Sequence, residues 1–249
     1  KRRLLDNIFA VFFLKRLSDK FEEDLENKLN EIKKEENQSD QKLKVSENRD
    51  LFKETNYVPP SSRWKEIRLL HKNKGNSRKK IFDSIAKYNP DLSTLLEKIE
   101  KSIEIKTFSR LVKFFDEINL GDRNLENVET LGSAFKQILL DYEDPPQFAF
   151  TPNEVSKLMV HILRPNSEMC IYDPAVGSGG IFVGVLNFLK INSLKHEKIS
   201  FFGQEINEEV WKICKLNMFF NNISKSDISL GDTLLNPGHL YKNDRMMQF

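Results

Sequence analysis

A glycine-rich segment that begins at Asp173, Asp-Pro-Ala-Val-Gly-Ser-Gly-Gly, constrains the fold of this chain more than any other stretch. An apolar run with the length of a strand ends at Tyr172, just before the segment. Apolar residues then follow at helical spacing, at Ile181, Phe182, Val185, Leu186 and Leu189. Where a strand turns into a helix through glycines, backbone N–H groups and the positive helix end can face a polar ligand. The segment therefore predicts a binding loop of the nucleotide type.

The glycines alone leave the ligand of this loop open. The dinucleotide fingerprint has a third glycine where this chain has Phe182, so a dinucleotide-dependent oxidoreductase is disfavoured. Asp173 and Pro174, directly before the loop, suit a ligand that carries an ammonium or a ribose as well as a carboxylate. S-adenosylmethionine carries all of these groups.

Charge and cysteine content limit the classes that remain. Lys plus Arg number 39 and Asp plus Glu 37 among 249 residues, and a net charge of +2 gives no global field to capture nucleic acid. Cys170 and Cys214 lie in apolar runs and form neither a disulfide framework nor a metal-ligand pair, so we expect no metal and a reducing cytoplasm. No run reaches the roughly 20 apolar residues that span a bilayer, so no membrane contact is expected.

The first part of the chain has the periodicity of helices. Apolar residues return every fourth position from Leu5 to Leu29, a step that winds around a helix. Ile8, Val11, Phe12 and Leu14 fill further faces early in this segment, which predicts a first half buried nearly all round. The charged residues 33–50 predict a mobile connection. Amphipathic segments follow at 81–88, 92–103 and 108–118. We therefore expect an α-helical N-terminal domain over residues 1–129.

Helical and strand-like segments alternate over residues 130–249. This alternation predicts an α/β Rossmann-like domain with a parallel sheet of order 3-2-1, in which the far edge of the first strand is unpaired. With only three strands, the domain is expected to be incomplete in this chain. Helices are expected at 130–142, at 153–163, from the glycine loop to Lys190, and at 208–220, and strands at 169–172, 199–203 and 227–230.

Acidic residues follow the second and third predicted strands. Glu205 lies where the ribose of an adenine nucleotide rests in a doubly wound fold, and its oxygens can accept from both ribose hydroxyls. Asp232 occupies the equivalent place after the third strand and can either accept from an adenine amino group or cap a turn. Phe150 and Thr151 can wall the ligand, or staple and cap the helix that starts at Asn153. The four histidines are scattered and are assigned no role.

Ordered motifs run through almost the whole chain. In the second half they are Phe150-Thr151-Pro152, the Asp173 to Gly180 loop, Gly203-Gln204-Glu205 and the run from Gly231 to Pro237. In the first part they are Phe13-Leu14-Lys15-Arg16-Leu17-Ser18-Asp19, Val58-Pro59-Pro60 with Trp64, and Leu131-Gly132-Ser133-Ala134-Phe135. Together they resemble the modification subunit of type I restriction-modification systems, an adenine-N6 DNA methyltransferase.

The resemblance implies S-adenosylmethionine as cofactor and a set of residues that contact it. These are Phe148, Phe150, Thr151, Pro152, Asn153, Asp173, Pro174, Ala175, Gly177, Ser178, Gly179, Gly180, Glu205, Ile206 and Asp232. The chain departs from the family at Val176, where a cysteine is usual. It also lacks the family's Asn-Pro-Pro-aromatic motif, which follows the fourth strand and holds the target base, so we expect no catalytic residue in these 249 residues.

The resemblance further implies methylation of a flipped adenine in double-stranded DNA. The implied partners are a specificity subunit, a second modification subunit and a restriction subunit, held by the helical domain. We expect the parent protein to continue beyond Phe249 and this chain alone to be inactive. The alternative is a non-catalytic assembly or cofactor-sensing module derived from such a methyltransferase.

Overall fold

The computed structural model contains two compact units, Lys1–Asn127 and Val128–Phe249. The predicted connection at 33–50 lies largely outside the residues that the structure describes, and so do Phe148, Phe150 and the side chain of Asn153. The described residues are 2–33, 45, 47–52, 55–69, 77–126, 129–142, 151–196, 198–239, 241–242 and 245–246.

In the first unit, the described regular elements are all helical, which confirms the predicted α-helical N-terminal part. Short 3-10 turns lie at Arg49–Phe52, Pro60–Ser62 and Asp122–Asn124. The α-helices are α1 (Arg2–Lys33), α2 (Trp64–Ile67), α3 (Ser77–Tyr88), α4 (Pro90–Ser102) and α5 (Ile105–Phe115).

Helix α1 forms the centre of the first unit. Every residue from Phe9 to Ser18 is buried, whereas beyond residue 20 burial is confined to Phe21, Leu25 and Leu29. Apolar residues on further faces of the first half, Ala10, Val11, Phe12 and Leu14, explain this change, because the first half can pack on all sides and the second half only along its stripe. The predicted burial of the first half is confirmed.

Buried polar groups on α1 fix the segments that pack around it. The Asn7 side chain accepts a hydrogen bond from the Glu104 N–H at 3.0 Å. The Ser18 hydroxyl accepts from the Trp64 N–H at 2.7 Å. Arg16 donates to the Leu120 carbonyl at 2.6 Å. Each bond satisfies a backbone group that the core would otherwise leave unpaired, so α1 sets the position of the neighbouring segments as well as their burial.

The second unit has the predicted α/β architecture. Strands β1, β2 and β3 form a parallel sheet in the order β1-β2-β3, and β4 and β5 form a separate antiparallel pair that apolar periodicity does not predict. The elements are α6 (Glu129–Tyr142), α7 (Asn153–Leu163), β1 (Cys170–Asp173), α8 (Gly180–Ile191), β2 (Ser200–Glu205), α9 (Glu208–Phe220), β3 (Ser226–Leu230), β4 (Tyr241–Lys242) and β5 (Arg245–Met246).

Aromatic residues hold the helices of this unit to the sheet. The rings of Phe182 in α8 and Phe201 in β2 lie 5.0 Å apart between centroids. The indole of Trp211 in α9 donates to the Ile228 carbonyl in β3 at 2.8 Å. Because the strands are parallel, their carboxyl ends meet at one edge, and the register pairs Asp173 with Gly203. The loops after β1, β2 and β3 therefore lie together.

Helix α7 places its apolar side differently from its neighbours. The sequence places Val155, Leu158, Met159 and Ile162 on one side of this helix, and this apolar row is exposed in the described structure, whereas Ser156 and Val160 are buried. A Cβ added to Gly184 in α8 would lie 3.5 Å from Val160 Cγ2, so α7 contacts α8 through the side that carries Val160.

Among the described residues, no helix is long and apolar enough to cross a membrane.

Candidate functional site

Two left-handed glycines fold the loop after β1. Gly177 has φ +55° and Gly179 has φ +77°, values that residues with side chains rarely adopt. The Gly179 N–H donates to the Val176 carbonyl at 2.9 Å, and the Val176 N–H donates to the Gln204 carbonyl at 3.0 Å. The loop is therefore closed on itself and fastened to β2.

The glycines of the loop differ in what surrounds them. A Cβ on Gly179 would lie 2.5 Å from Met218 Cε and 3.0 Å from Cys214 Sγ, so α9 packs directly on the loop. A Cβ on Gly177 or Gly180 would have no such neighbour closer than 3.9 Å, so these two glycines border open space where a ligand can approach the backbone. Cys214 is fully buried and burial raises the pKa of its thiol, which makes it a packing residue and not a nucleophile.

Glu205 ends β2, and backbone N–H groups hold its carboxylate. Oε2 accepts from the Gly177 N–H at 3.2 Å, and Oε1 accepts from the Asn207 N–H at 2.8 Å. The residue is half-buried. Since a carboxylate oxygen has more than one lone pair, the fixed group can still accept from a ligand hydroxyl. The contact of Glu205 with a ribose stays a prediction.

Asp173 ends β1 and turns the chain into the loop. Its Oδ1 accepts from the Ala175 N–H at 3.0 Å. Burial raises the pKa of the Asp173 carboxyl above its usual 3.8, the hydrogen bond from Ala175 opposes this rise, and the charge of Glu205 adds to it. The edge of the sheet therefore holds two carboxyl groups of which one is costly to ionise, an arrangement that a cationic ligand group would stabilise.

Asp232 caps a turn in the loop after β3. Its Oδ1 accepts from the N–H groups of Leu234 and Leu235 at 2.8 and 3.1 Å. The same loop is tied to the glycine loop, because the Thr233 hydroxyl donates to the Pro174 carbonyl at 2.5 Å. Of the two interpretations that the sequence leaves open, the structure contains the turn cap. An additional contact of Asp232 with an adenine stays a prediction.

A groove of about 800 Å³ lies beside the glycine loop, within the second unit. Its walls are the loop, α8, most of α7, α6 with Gly132 and Ser133, and Asn217 and Asn221 at the end of α9. The volume is in the range of small-molecule sites. The predicted cofactor residues that line it are Thr151, Pro152, Asp173, Ala175, Gly177, Ser178 and Gly180. Pro174, Gly179, Glu205, Ile206 and Asp232 do not belong to that lining, although Glu205 accepts from the N–H of Gly177, which does.

Thr151 and Pro152 enter the groove ahead of α7. The predicted capping role of Thr151 is wrong, because Pro152 is the residue before the first helical position and no side chain caps this helix. The Pro152 carbonyl accepts from the Ser156 N–H at 3.0 Å. Thr151 is exposed and lines the groove, so its predicted place in the wall of the ligand site remains open to it.

Two side chains without a predicted role, those of Gln204 and His239, hold the edge of the sheet. The buried Gln204 amide donates to the Asn236 carbonyl at 2.9 Å and accepts from the Gly238 N–H at 2.9 Å. His239 is 4% exposed, and its Nε2 lies 2.9 Å from the Gly203 carbonyl. Gln204 is a polar residue inside an apolar strand, a signal that could have identified it. His239 has no local sequence pattern that marks its position.

Phe182 occupies the place where a dinucleotide fingerprint has its third glycine. The side chain is 0% exposed and packs on Phe201 of β2. A glycine there would let helix and strand approach more closely, whereas this chain fills the space with an aromatic ring.

Among the described residues, no group of three or more His, Cys, Asp or Glu side chains could hold a metal ion.

Two family models match the chain one after the other. Residues 3–118 match the model described as the HsdM N-terminal domain. Residues 126–249 match the model described as N-6 DNA Methylase. Almost the whole chain is therefore matched, with the two models in the order of the two units.

Curated relatives carry both parts in one chain. The chain is 28% identical over 190 residues to the type I restriction enzyme HindI methylase subunit of Haemophilus influenzae, which covers 68% of this chain and 40% of the relative. It is 24% identical over 257 residues to the MjaIX methylase subunit of Methanocaldococcus jannaschii, covering 96% of this chain and 44% of the relative. The chain belongs to the type I modification-subunit family. It spans less than half the length of these two relatives.

A solved structure has the same fold as this chain. The type I restriction-modification system methyltransferase subunit from Streptococcus thermophilus superposes with a TM-score of 0.65 at 17% sequence identity. The match covers 98% of this chain and 60% of that chain. The predicted order, an α-helical part followed by a Rossmann-like α/β part, is confirmed.

Proposed function

We propose that this protein is the modification subunit of a type I complex and methylates adenine N6 at a specific site in double-stranded DNA. S-adenosylmethionine, its cofactor, supplies an electrophilic methyl group when bound. The observation that carries the proposal is the pairing of Glu205 with the Gly177 N–H beside an 800 Å³ groove. A carboxylate fixed against a glycine loop at the end of the second strand suits the ribose of an adenosine.

The residues around the groove fit this cofactor. The open backbone at Gly177 and Gly180 can approach its polar atoms, because no side chain fills the space above them. Glu205 would accept from the ribose hydroxyls, and Asp173 would face the cationic part of the molecule. Thr151 and Pro152 would form the opposite wall, with Phe148, Phe150, Asn153, Ile206 and Asp232 as further predicted contacts. Positive charge near Asp173 would offset the raised pKa of its carboxyl.

The residues of this groove account for the cofactor and not for the base that accepts the methyl group. A flipped adenine needs a stacking surface and hydrogen-bond partners for its amino group. The family's motif for this purpose, Asn-Pro-Pro-aromatic, does not occur in these 249 residues. We therefore assign residues 130–249 to cofactor binding and residues 1–129 to contacts with partners. Those partners are a specificity subunit, a second modification subunit and a restriction subunit, and we expect this chain alone to be inactive.

Calorimetry on the 249-residue chain tests the cofactor. We expect heat of binding from S-adenosylmethionine, a weaker affinity in Glu205→Ala, and no heat from NADH. Heat from NADH together with none from S-adenosylmethionine would overturn the cofactor assignment and support an oxidoreductase.

Methyl transfer requires the complete protein and its partner. The full-length modification subunit is produced with a specificity subunit and incubated with DNA and S-adenosylmethionine, and N6-methyladenine is measured by mass spectrometry of the nucleosides. Methylated adenine that disappears with Glu205→Ala supports the proposal. Cofactor binding without methylation of any base would instead favour a cofactor-sensing assembly module.

A further inference from the structure

A series of contacts joins α6 to the glycine loop. A Cβ added to Gly132 in α6 would lie 2.2 Å from Asn221 Oδ1, just past the end of α9. The Asn221 amide donates to the backbone carbonyl and to the side-chain oxygen of Asn217, both at 2.9 Å. The Asn217 amide donates in turn to the Ser178 carbonyl at 2.8 Å. We call Asn217 and Asn221 the asparagine clasp.

Helix α6 gives the clasp a rigid support. Phe135, one turn beyond Gly132, is 0% exposed and packs against the equally buried Phe220 at 5.2 Å between ring centroids. Leu131 and Leu139 are also buried on this helix. The motif Leu131 to Phe135 therefore seats α6 on the end of α9, next to the clasp.

The clasp and Glu205 bind two different backbone groups of the loop. Glu205 holds the N–H of Gly177, whereas Asn217 holds the carbonyl of Ser178, one residue further along the chain. A peptide plane cannot rotate while its carbonyl is bound, so the bond from Asn217 also orients the N–H of Gly179. The two left-handed glycines would otherwise be free to adopt other conformations, since glycine has the widest choice of backbone angles.

We propose that Asn217 and Asn221 are positioning residues that hold the glycine loop in its binding conformation, and that position 132 requires glycine because Asn221 lies against it. The proposal rests on the cofactor site described above. It assigns a role to the Leu131 to Phe135 motif, which cofactor contacts alone do not explain. Loss of the clasp would weaken cofactor binding through the loop, without removing a group that Glu205 or Asp173 supplies.

Asn217→Asp tests the bond to the loop. The substitution keeps the size of the side chain and an acceptor for Asn221 but removes the donor to the Ser178 carbonyl. We expect backbone amides at 177–180 of the free 249-residue chain to exchange hydrogen at least tenfold faster, measured by mass spectrometry, while residues 201–204 of β2 are unchanged. We also expect about tenfold weaker binding of S-adenosylmethionine. Unchanged exchange at 177–180 would overturn the proposal.

Asn166→Asp is the matched control, because it adds the same charge to the same unit. Asn166 is exposed, and its side-chain oxygen accepts from the Glu168 N–H, a bond that aspartate keeps. This variant should match the unmodified protein in loop exchange and in affinity. If it accelerated loop exchange as much as Asn217→Asp does, added charge would explain the effect and the clasp would be refuted.

Gly132→Ala tests the other end of the clasp. Alanine favours a helix more than glycine does, so a loss of affinity in this variant would not come from a weakened α6, and the Asn221→Ala background shows whether it depends on Asn221. We expect Gly132→Ala to weaken binding about tenfold when Asn221 is present, and to cause no further loss in the Asn221→Ala background. Equal losses in both backgrounds would show that the two residues act independently, and the proposal would fail.

Failure of this proposal can be distinguished from failure of the proposed function. Hydrogen exchange of the loop is measured without any ligand, so it decides the role of the clasp even if S-adenosylmethionine does not bind. Absence of S-adenosylmethionine binding in the unmodified chain, with exchange accelerated in Asn217→Asp, would overturn the cofactor and retain the clasp.

Discussion

Glu205 accepts a hydrogen bond from the backbone N–H of Gly177 at 3.2 Å, across 28 positions of sequence. The other carboxylate oxygen is held by the Asn207 N–H. Glu205→Gln keeps the shape but replaces one acceptor by an amide donor and removes the charge, so one backbone N–H loses its partner. We expect about 10- to 100-fold weaker binding of S-adenosylmethionine by calorimetry.

The control for this substitution is Glu168→Gln in the same unit. The Glu168 side chain is 77% exposed and lies 3.8 Å from Lys198 in a surface pair, which contributes little to stability. Its affinity for the cofactor should equal that of the unmodified chain. If Glu205→Gln also bound with unchanged affinity, the carboxylate would not be a cofactor ligand.

Gly179→Ala and Gly180→Ala separate the folding of the loop from its binding. At Gly179 the new methyl group meets Met218 and Cys214 and the backbone has φ +77°, so we expect a loss of about 1–3 kcal/mol in stability. At Gly180 the methyl group enters open space at the start of α8, so stability should be kept while cofactor affinity falls. Denaturant unfolding and calorimetry on both variants measure the two effects. Equal stability of the two variants would contradict the packing of α9 on Gly179.

Periodicity was sufficient to predict most elements of the second unit. The expected helices at 153–163 and 208–220 have those bounds in the structure, and β1 at Cys170–Asp173 is displaced by one residue from the expected strand. Apolar spacing reports which face of an element is buried, so it locates elements well. Strand ends are set by pairing with neighbours, which the local sequence does not contain.

Long-range side-chain contacts were beyond the sequence patterns. The Asn217 side chain donates to the Ser178 carbonyl 39 positions away, and the Gln204 side chain donates to the Asn236 carbonyl 32 positions away. No sequence pattern around Asn217 or Gln204 indicates which residue it will contact. The apolar row of α7 was predicted correctly as a row, yet periodicity does not show whether it faces a neighbour or the surface. The glycine loop was the most predictable part, because its backbone angles demand glycine locally.

In the first unit, Asp122 contributes stability that depends on pH. Burial would raise the pKa of its carboxyl, but the hydrogen bonds and charges of Arg16 and Lys20 outweigh burial and lower it below the usual 3.8. The contribution is thus fully present above pH 3.8 and is lost as the pH falls through the lower pKa of the folded state. Fluorescence of Trp64 during acid titration, in a Trp211→Phe background, reports this unit. Asp122→Asn should remove the acid-dependent step, and an unchanged step would contradict the assignment.

Arg16→Met tests the same cluster from the buried side. Arg16 is 2% exposed and donates to the Leu120 carbonyl and to Asp122, so its removal leaves both without this partner. We expect a loss of about 2–4 kcal/mol in the stability of the first unit, measured by denaturant unfolding. Lys28→Met, which removes a partly exposed lysine from the same helix, should cost less than about 1 kcal/mol. Similar losses in the two variants would show that the buried contacts of Arg16 do not contribute.

Asp173 should affect stability with the opposite sign to Asp122. Burial and the charge of Glu205 raise its pKa above 3.8, so between 3.8 and the raised value the folded state binds more protons than the unfolded state. Stability therefore decreases as the pH rises through that window, and the full penalty is present above it. Asp173→Asn removes the penalty and can keep the bond from Ala175. We expect the free variant at neutral pH to unfold at a higher temperature than the unmodified chain, followed by Trp211 fluorescence, and to bind S-adenosylmethionine more weakly. A lower midpoint for the variant at neutral pH would mean that ionised Asp173 stabilises the free loop, and the burial penalty assigned to its carboxylate would have to be abandoned.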